Sequence, residues 1–535
     1  MNIGGLAPRM PTVNQHSFAR VPQVGIQRST FNRSHGIKTT FDADYLIPIF
    51  VDEVLPGDTF NLNMTAFARL ATPIKPVMDN MYLDTFFFFV PNRLLWTNWE
   101  RFNGAQDDPG SSTDYEIPTI EMPAGGPEVG SLWDYFGLPT DMTNAYSVNA
   151  LFSRAYNLIW REWFRDQNLQ DAPNVDLDDG PDTFGQYYLR KRGKRHDYFT
   201  SCLPWPQKGD AVSLPIGASS ASVTRVASAA TWKAYDAGTE NLSSGAALEA
   251  QGDGELAEVA GPNLSLDPNG GLTVDLSTAL ATTVNELREA LQSQVMLERD
   301  ARGGTRYTEL IRSHFGVVSP DFRLQRPEYL GGGSSPINIH PVPQTSPTSG
   351  SNAQGQLAAF GTASLNGHGF NKSFTEHGVI IGLAMVRADL TYSQGLHRMW
   401  SRSTRYDFYW PALAHLGEQA VLNKEIYNNL ADGTASNQRE GVFGYQERYA
   451  EYRYKPSQIT GIFRPAYASS LESWHLSQEF SAQPTLGDTF IQSETPVDRV
   501  IAVTTEPHLY LDGWFNLICA RPMPVFSVPT LGDRL

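Results

Sequence analysis

Phe86, Phe87, Phe88 and Phe89 follow one another without a polar break inside the run Met81 to Val90. Successive side chains of a strand point to opposite faces, so four adjacent rings cannot all enter one core. A strand of this composition must be covered on both sides. Just before it, Phe60, Leu62, Met64, Ala66, Ala68 and Leu70 alternate with Asn61, Asn63, Thr65 and Arg69. That period of two marks a strand with a single buried face. Pro56-Gly57-Asp58 and Pro73 to Pro76 supply turns and stop any helix between the runs. Short strands joined by Pro/Gly loops point to a sandwich or a jelly roll.

These stretches also carry a specific likeness. DEVLPGDTF, MYLDTFFFFVPNRLLW, NLIWREWFRDQNLQ, FTSCLPWPQKGD, LERDARGGTRYTELIRSHFGVVSPDFRLQRPEYLGG and RPMPVFSVP occur in that order. The series resembles the major capsid protein of gokushoviruses, small single-stranded DNA bacteriophages of the microvirus family. It touches most of the chain outside roughly 212–282. The resemblance implies a mainly β chain: an eight-stranded antiparallel jelly roll of viral capsid type, with long loop insertions and a few helices. It also implies a structural subunit of an icosahedral shell, found in the virion and assembled in the bacterial cytoplasm. Its implied partners are further copies of itself, packaged single-stranded DNA, a scaffolding protein, a small basic DNA-binding protein and a pilot protein.

Composition fits such a subunit. Of 535 residues 41% are hydrophobic and only 18% charged, and the 45 Gly and 35 Pro make the chain loop-rich without making it disordered. The formal net charge of −16 argues against a dedicated nucleic-acid-binding protein. Cys202 and Cys519 are the only cysteines; no disulfide framework is expected, and buried, inert thiols are the simplest reading. No apolar signal region or run of 18 apolar residues is found, so neither export nor membrane insertion is expected.

Charge is unevenly placed along the chain. Residues 1–41 form a polar arm with Arg9, Arg20, Arg28, Arg33 and Lys38 and no acidic residue, a local charge of +5. An extended cationic arm can follow phosphates, or it can pack along neighbouring subunits; both remain open. The second basic feature is RKRGKRH, with Arg190, Lys191, Arg192, Lys194 and Arg195 flanked by Tyr187, Tyr188, Tyr198 and Phe199. Basic residues among aromatics suit single-stranded nucleic acid. A solvated loop, or a contact with the acidic 174–182 segment, fits equally.

The remaining chain divides at composition changes. Residues 42–210 hold the first jelly-roll strands and a helix over 147–166, with Ser147 as its N-cap and an aromatic stripe (Phe152, Tyr156, Trp160, Trp163, Phe164) meant for a core or subunit seam. Residues 211–282 are Ala, Ser, Gly and Thr rich, carry a local charge of −6, and have Trp232 and Tyr235 as their only aromatics. So few bulky residues cannot build a core of their own. By resemblance this segment is a variable surface protrusion at the threefold axes, which either contacts a host receptor or is a plain decoration. Residues 283–535 add helices, long loops, the remaining strands and an extended tail. Thr283 and Glu286 read as a capping box, and Gly316 as the stop of a second helix. Gly331 to Gly355 reads as a long irregular connection, and the best later strands are 378–391, 447–454 and 509–519.

No catalytic motif stands out, and no cofactor is implied. The 174–180 loop is rich in oxygen ligands but places Asp179 and Gly185 where an EF-hand needs Gly and Glu. His368 and His377 lack a third ligand at useful spacing, and Glu376 beside His377 would face the other way along a strand. Catalysis and metal binding are therefore not expected. A glycan-binding tail spike and a DNA-coating protein outside any shell are the alternatives.

Overall fold

Eight long strands carry the architecture: β1 (His35–Phe41), β2 (Ile47–Val54), β3 (Thr59–Leu70), β4 (Met81–Pro91), β5 (Glu328–Pro343), β6 (Leu357–Ser373), β7 (Gly378–Ala388) and β8 (Leu509–Arg521). The computed structural model describes residues 27–112, 114–212, 284–318, 325–350, 353–433 and 437–526, and the backbone of six three-residue strands between 223 and 274. Pairing is nested from the outside in. β1 pairs with β8, β2 with β7, β3 with β6 and β4 with β5, all antiparallel. β8 also pairs with β3 and β7 with β4. The two sheets therefore read β1-β8-β3-β6 and β2-β7-β4-β5, which is the strand order of an eight-stranded jelly roll. The C-terminal part of β5 leaves β4 and continues along β6, joining the sheets at one corner.

The phenylalanine run does what its pattern requires. Leu83, Phe87 and Phe89 point into the roll beside Phe50, Phe370, Phe374 and Phe515. Phe88 and Val90 point outwards into a second core with Trp96, Trp133, Tyr156 and Trp160. The cover over that outer face is helix α1 (Leu151–Ile159), extended by a π turn, Trp160–Phe164. α1 begins later than the apolar spacing suggests, because Tyr146–Asn149 forms a short strand against Thr119–Met122. Ala150 rather than Ser147 stands at the N-cap and offers no side-chain cap, and the Asn149 side chain before it accepts the Leu151 amide at 2.9 Å. In β3 and β8 burial alternates along the whole strand, so the other sheet keeps one face open within the subunit.

One strand, β5, lies where the sequence reads as loop, and the next, β6, follows directly on that stretch. β5 contains Gly331-Gly332-Gly333 and three prolines, and β6 three glycines, yet they are 16 and 17 residues long. Gly331, Gly332 and Gly369 sit at points of close backbone approach, and the ladder on either side outweighs poor strand propensity. The strand expected at 447–454 lies earlier, at Val442–Glu447. It stops where Tyr449 adopts φ +61° and a 3-10 turn, Ala450–Tyr452, begins. Both cysteines are buried thiols, and burial raises the pKa of Cys519.

Residues Pro206–Val318 form a second compact unit. Within it three short antiparallel ladders nest one inside the next, 223–225 with 272–274, 234–236 with 264–266 and 248–250 with 256–258. Helices α2 (Val284–Arg302) and α3 (Tyr307–Phe315) follow, and Gly316 closes α3 at φ +68°. His314 and Asp300 pin the two helices together through a 2.6 Å contact. Thr283 lies outside the described residues.

Candidate assembly and nucleic-acid surfaces

The 190–195 stretch is extended and pinned on both sides by backbone pairing. Leu46 N donates to Arg190 O at 3.0 Å, Arg192 N to Asp44 O at 3.1 Å, and Lys194 N to Ile491 O at 2.7 Å. Its side chains are spent largely inside the subunit. The Arg190 guanidinium lies 4.3 Å over Tyr188 and 4.9 Å over Trp160, while its Nε donates to Asn157 Oδ1 at 3.0 Å. Lys191 sits 5.3 Å over Tyr45. Arg192 lies between Phe86 and Phe164 and donates to Asp84 at 3.3 Å. Asp84 is buried and also accepts from Arg387 at 2.7 Å and Ser334 at 2.6 Å. Burial lowers the Arg192 pKa, which the Asp84 charge opposes. Of the five cations Arg195 is exposed, and of the flanking rings Tyr188, whereas Tyr187, Tyr198 and Phe199 are buried. Cation–π contacts thus brace the cluster against its own subunit.

Lys194 is the extreme case, 7% exposed, with its ammonium 4.4 Å over Phe490. Burial pushes its pKa down from 10.5 to about 8, against the pull of Asp197, Glu494 and Asp44. A base with a depressed folded pKa destabilises the fold wherever it is charged. The penalty is full below about pH 8 and fades as pH rises towards 10.5. Lys194→Met is therefore expected to stabilise the subunit by about 1–3 kcal/mol at pH 7. Thermal unfolding at pH 7 and pH 9.5 checks it; a gain that does not shrink with pH would refute the charge-burial account.

The arm is docked from Ser29 onwards, where Ser29–Asn32 pairs with the end of β8. Arg28 is exposed and donates to Thr59 at 2.9 Å. Arg33 forks onto Asp52, and Lys38 meets Asp512 at 3.2 Å with both side chains open to solvent. Arg9, Arg20 and Trp232 lie outside the described residues, as does the side chain of Tyr235.

The acidic 174–182 loop meets a different cation from the one the sequence suggests. Arg154 on α1 is fully buried; its Nε donates to Asp182 Oδ2 at 2.8 Å and its Nη1 to the Leu95 and Asp178 carbonyls at 3.0 Å each. Tyr187 donates to Asp182 at 2.6 Å. Trp96 and Asn98 both donate to Asp179. Among the described residues no group of His, Cys, Asp and Glu is placed to hold a metal ion. His368 is buried between Thr85 and Ser335, and Glu376 pairs with Arg93.

One surface carries a composition whose meaning the sequence did not disclose. Trp400 and Tyr406 are exposed on short 3-10 turns, and Phe408, Tyr409 and Trp410 are exposed between two such turns, beside Tyr452 and Tyr454. Arginines lie on several of these rings. The sequence signal was an aromatic run without strand alternation, between arginines.

A family model described as "Capsid protein (F protein)" matches residues 19–531. The chain belongs to that capsid protein family. It is 53% identical to capsid protein VP1 of Bdellovibrio phage phiMH2K, covering 97% of this chain and 98% of that one. Capsid protein VP1 of Chlamydia phage 1 is 44% identical, over 98% and 99% of the two chains. Capsid protein VP1 of Spiroplasma virus 4 is 36% identical, over 96% and 97%. The capsid protein is thus a virion component and a subunit of a self-assembling phage shell, with the jelly roll as its building block. Among the described residues, no helix is long and apolar enough to cross a membrane.

Proposed function

We propose that this capsid protein builds the icosahedral shell of a small single-stranded DNA phage, holds the genome without base-specific readout, and turns its inserted unit outwards towards the host. Full-length similarity to three phage VP1 proteins carries the shell reading. The genome reading rests on charge: the first 41 residues hold +5 in a chain of −16. With Arg192 and Lys194 committed inside the subunit, Arg9, Arg20, Arg28 and the exposed Arg195 are the cations this reading uses. Phosphate contacts of that kind release counterions and weaken with salt. A scaffolding protein, a small basic DNA-binding protein and a pilot protein belong to the same proposal through the gokushovirus resemblance, as does a host receptor.

Particles made from this chain with its genomic neighbours test all three parts by electron microscopy and DNA content. Closed icosahedral shells are expected, and deletion of 212–282 should remove protrusions while leaving the shell. Arg9→Gln, Arg20→Gln and Arg28→Gln together should lower retained DNA several-fold at 0.2 M salt and much less at low salt. Unchanged DNA content across that salt range would exclude the arm. Soluble trimers that bind glycans and never form shells would instead favour a tail spike.

A further inference from the structure

Trp400, Tyr406, Phe408, Trp410, Tyr452 and Tyr454 are each between 42% and 71% exposed. The two segments that carry them form one surface: Tyr409 N donates to Tyr452 Oη, and Arg448 donates to the Tyr406 carbonyl. Arg402 lies 4.2 Å over Tyr452 and 5.6 Å over Phe408, and Arg405 lies 4.6 Å over Trp410. Arg405 and Lys455 are exposed along it, as is Arg453, which pairs with Glu447. Far from it in sequence, the stretch between Phe102 and Ser153 contains eight Asp or Glu and no Lys or Arg. Asp108, Asp114 and Glu116 in that stretch are exposed, and its apolar side chains pack into the outer core under α1 rather than beside the aromatic surface.

We propose that this arginine–aromatic surface is a docking face that takes the acidic 107–128 loop of a second copy of the chain. The inference rests on the shell reading and deepens it by naming the two surfaces that meet. Three arguments favour a protein partner with carboxylates. Trp, Tyr and Arg are the residues that dominate interface energetics, particularly when clustered. Half-exposed rings offer about 100 Å² each, so six supply about 600 Å², close to the roughly 800 Å² that each partner contributes to a standard interface. Guanidinium groups already lie on the faces of Phe408, Tyr452 and Trp410. A nucleic-acid base needs such a face open for stacking; Arg402 is already held by the buried Glu451 carboxylate, so an incoming carboxylate meets the exposed fork of Arg405. A contact between two different patches of identical chains is heterologous, and repeated around an axis it closes a ring.

Charge reversal tests it in the full chain expressed with its genomic neighbours. Arg405→Glu with Lys455→Glu reverses the face, and Asp114→Lys with Glu116→Lys reverses the loop. Each pair alone is expected to cut particle yield at least about tenfold, and the four changes together to restore most of it, since both sides are then reversed in every copy. Circular dichroism and limited proteolysis of the soluble subunit establish that each variant folds. Trp400→Ala changes no charge and should lower yield at every salt concentration, unlike the reversals, whose effect should lessen at high salt. Normal yield from the face-reversed chain would overturn the inference, as would four changes no better than two. Closed particles lacking DNA would also overturn it and give the surface to nucleic acid. Absence of particles from the unaltered chain would sink the shell reading itself, a distinguishable result.

Discussion

Gly332→Val is expected to abolish accumulation of folded subunit. Gly332 pairs with Phe86 within the β5–β4 ladder, one residue after a register shift between Tyr329 and Gly331. Its φ of +151° is a conformation that residues with a side chain rarely adopt. A Cβ there would overlap the Thr85 carbonyl oxygen and lie 2.9 Å from its carbon and 3.1 Å from Phe86 Cα. All three are backbone atoms of a strand buried on both faces, so nothing can rotate away. Relief requires separating β4 from β5, which opens the inner core around Phe87 and Phe89 and the outer core around Phe88 together. A cost above about 4 kcal/mol, in the range reserved for named structural faults, is expected. Gly185→Ala is the control, because its Cβ would meet nothing within 4 Å. Soluble yield and thermal unfolding decide the matter: Gly332→Val melting with the unaltered chain would show that β5 has slack the backbone geometry denies.

The same glycines explain why two of the eight strands were hard to read. β3 and β4 were legible because their side chains do the packing: alternation in one and unbroken phenylalanine in the other specify how many faces are buried. β8 was legible for the same reason. In β5 and β6 the packing depends on side chains being absent. Gly331 lies against the Gly369 carbonyl, Gly369 against that of Leu62, and Gly333 against the His368 ring. Local propensity scores such a stretch as loop, and only its partners, hundreds of residues away in the chain, make it a strand. The basic cluster failed to resolve for a related reason. A solvated RKRGKR and a braced one have the same sequence; what separates them is Asp84, about a hundred residues earlier, and rings from three other elements. The aromatic surface around Trp410 was visible as composition, but exposure is a property of the fold.

Arg154→Ala is expected to be the second most damaging single change, costing about 3–5 kcal/mol, as removal of one partner of a buried ion pair does. Arg154 and Asp182 side chains are both 0% exposed. Burial alone would lower the guanidinium pKa, but the Asp182 hydrogen bonds and charge outweigh it and raise it, so the guanidinium stays charged at any working pH. One side chain joins α1 to the Leu95 carbonyl, where β4 has just ended, and to the Asp178 carbonyl of the acidic loop. Alanine would leave the Asp182 carboxylate with Tyr187 as its remaining charge-stabilising donor and would orphan both carbonyls. Arg154→Lys should recover only part of the loss, because an ammonium cannot reproduce the fork that reaches Asp182 and two carbonyls at once. The decisive variant is Arg154→Leu with Asp182→Leu. If the damage comes from an uncompensated charge, removing both ions should be less destabilising than removing Arg154 alone. If it comes from losing the tie between helix and loop, the double change should be at least as destabilising. Thermal unfolding of the four chains, with assembly yield alongside, separates a charge held for balance from a brace that keeps the outer cover of the jelly roll in place.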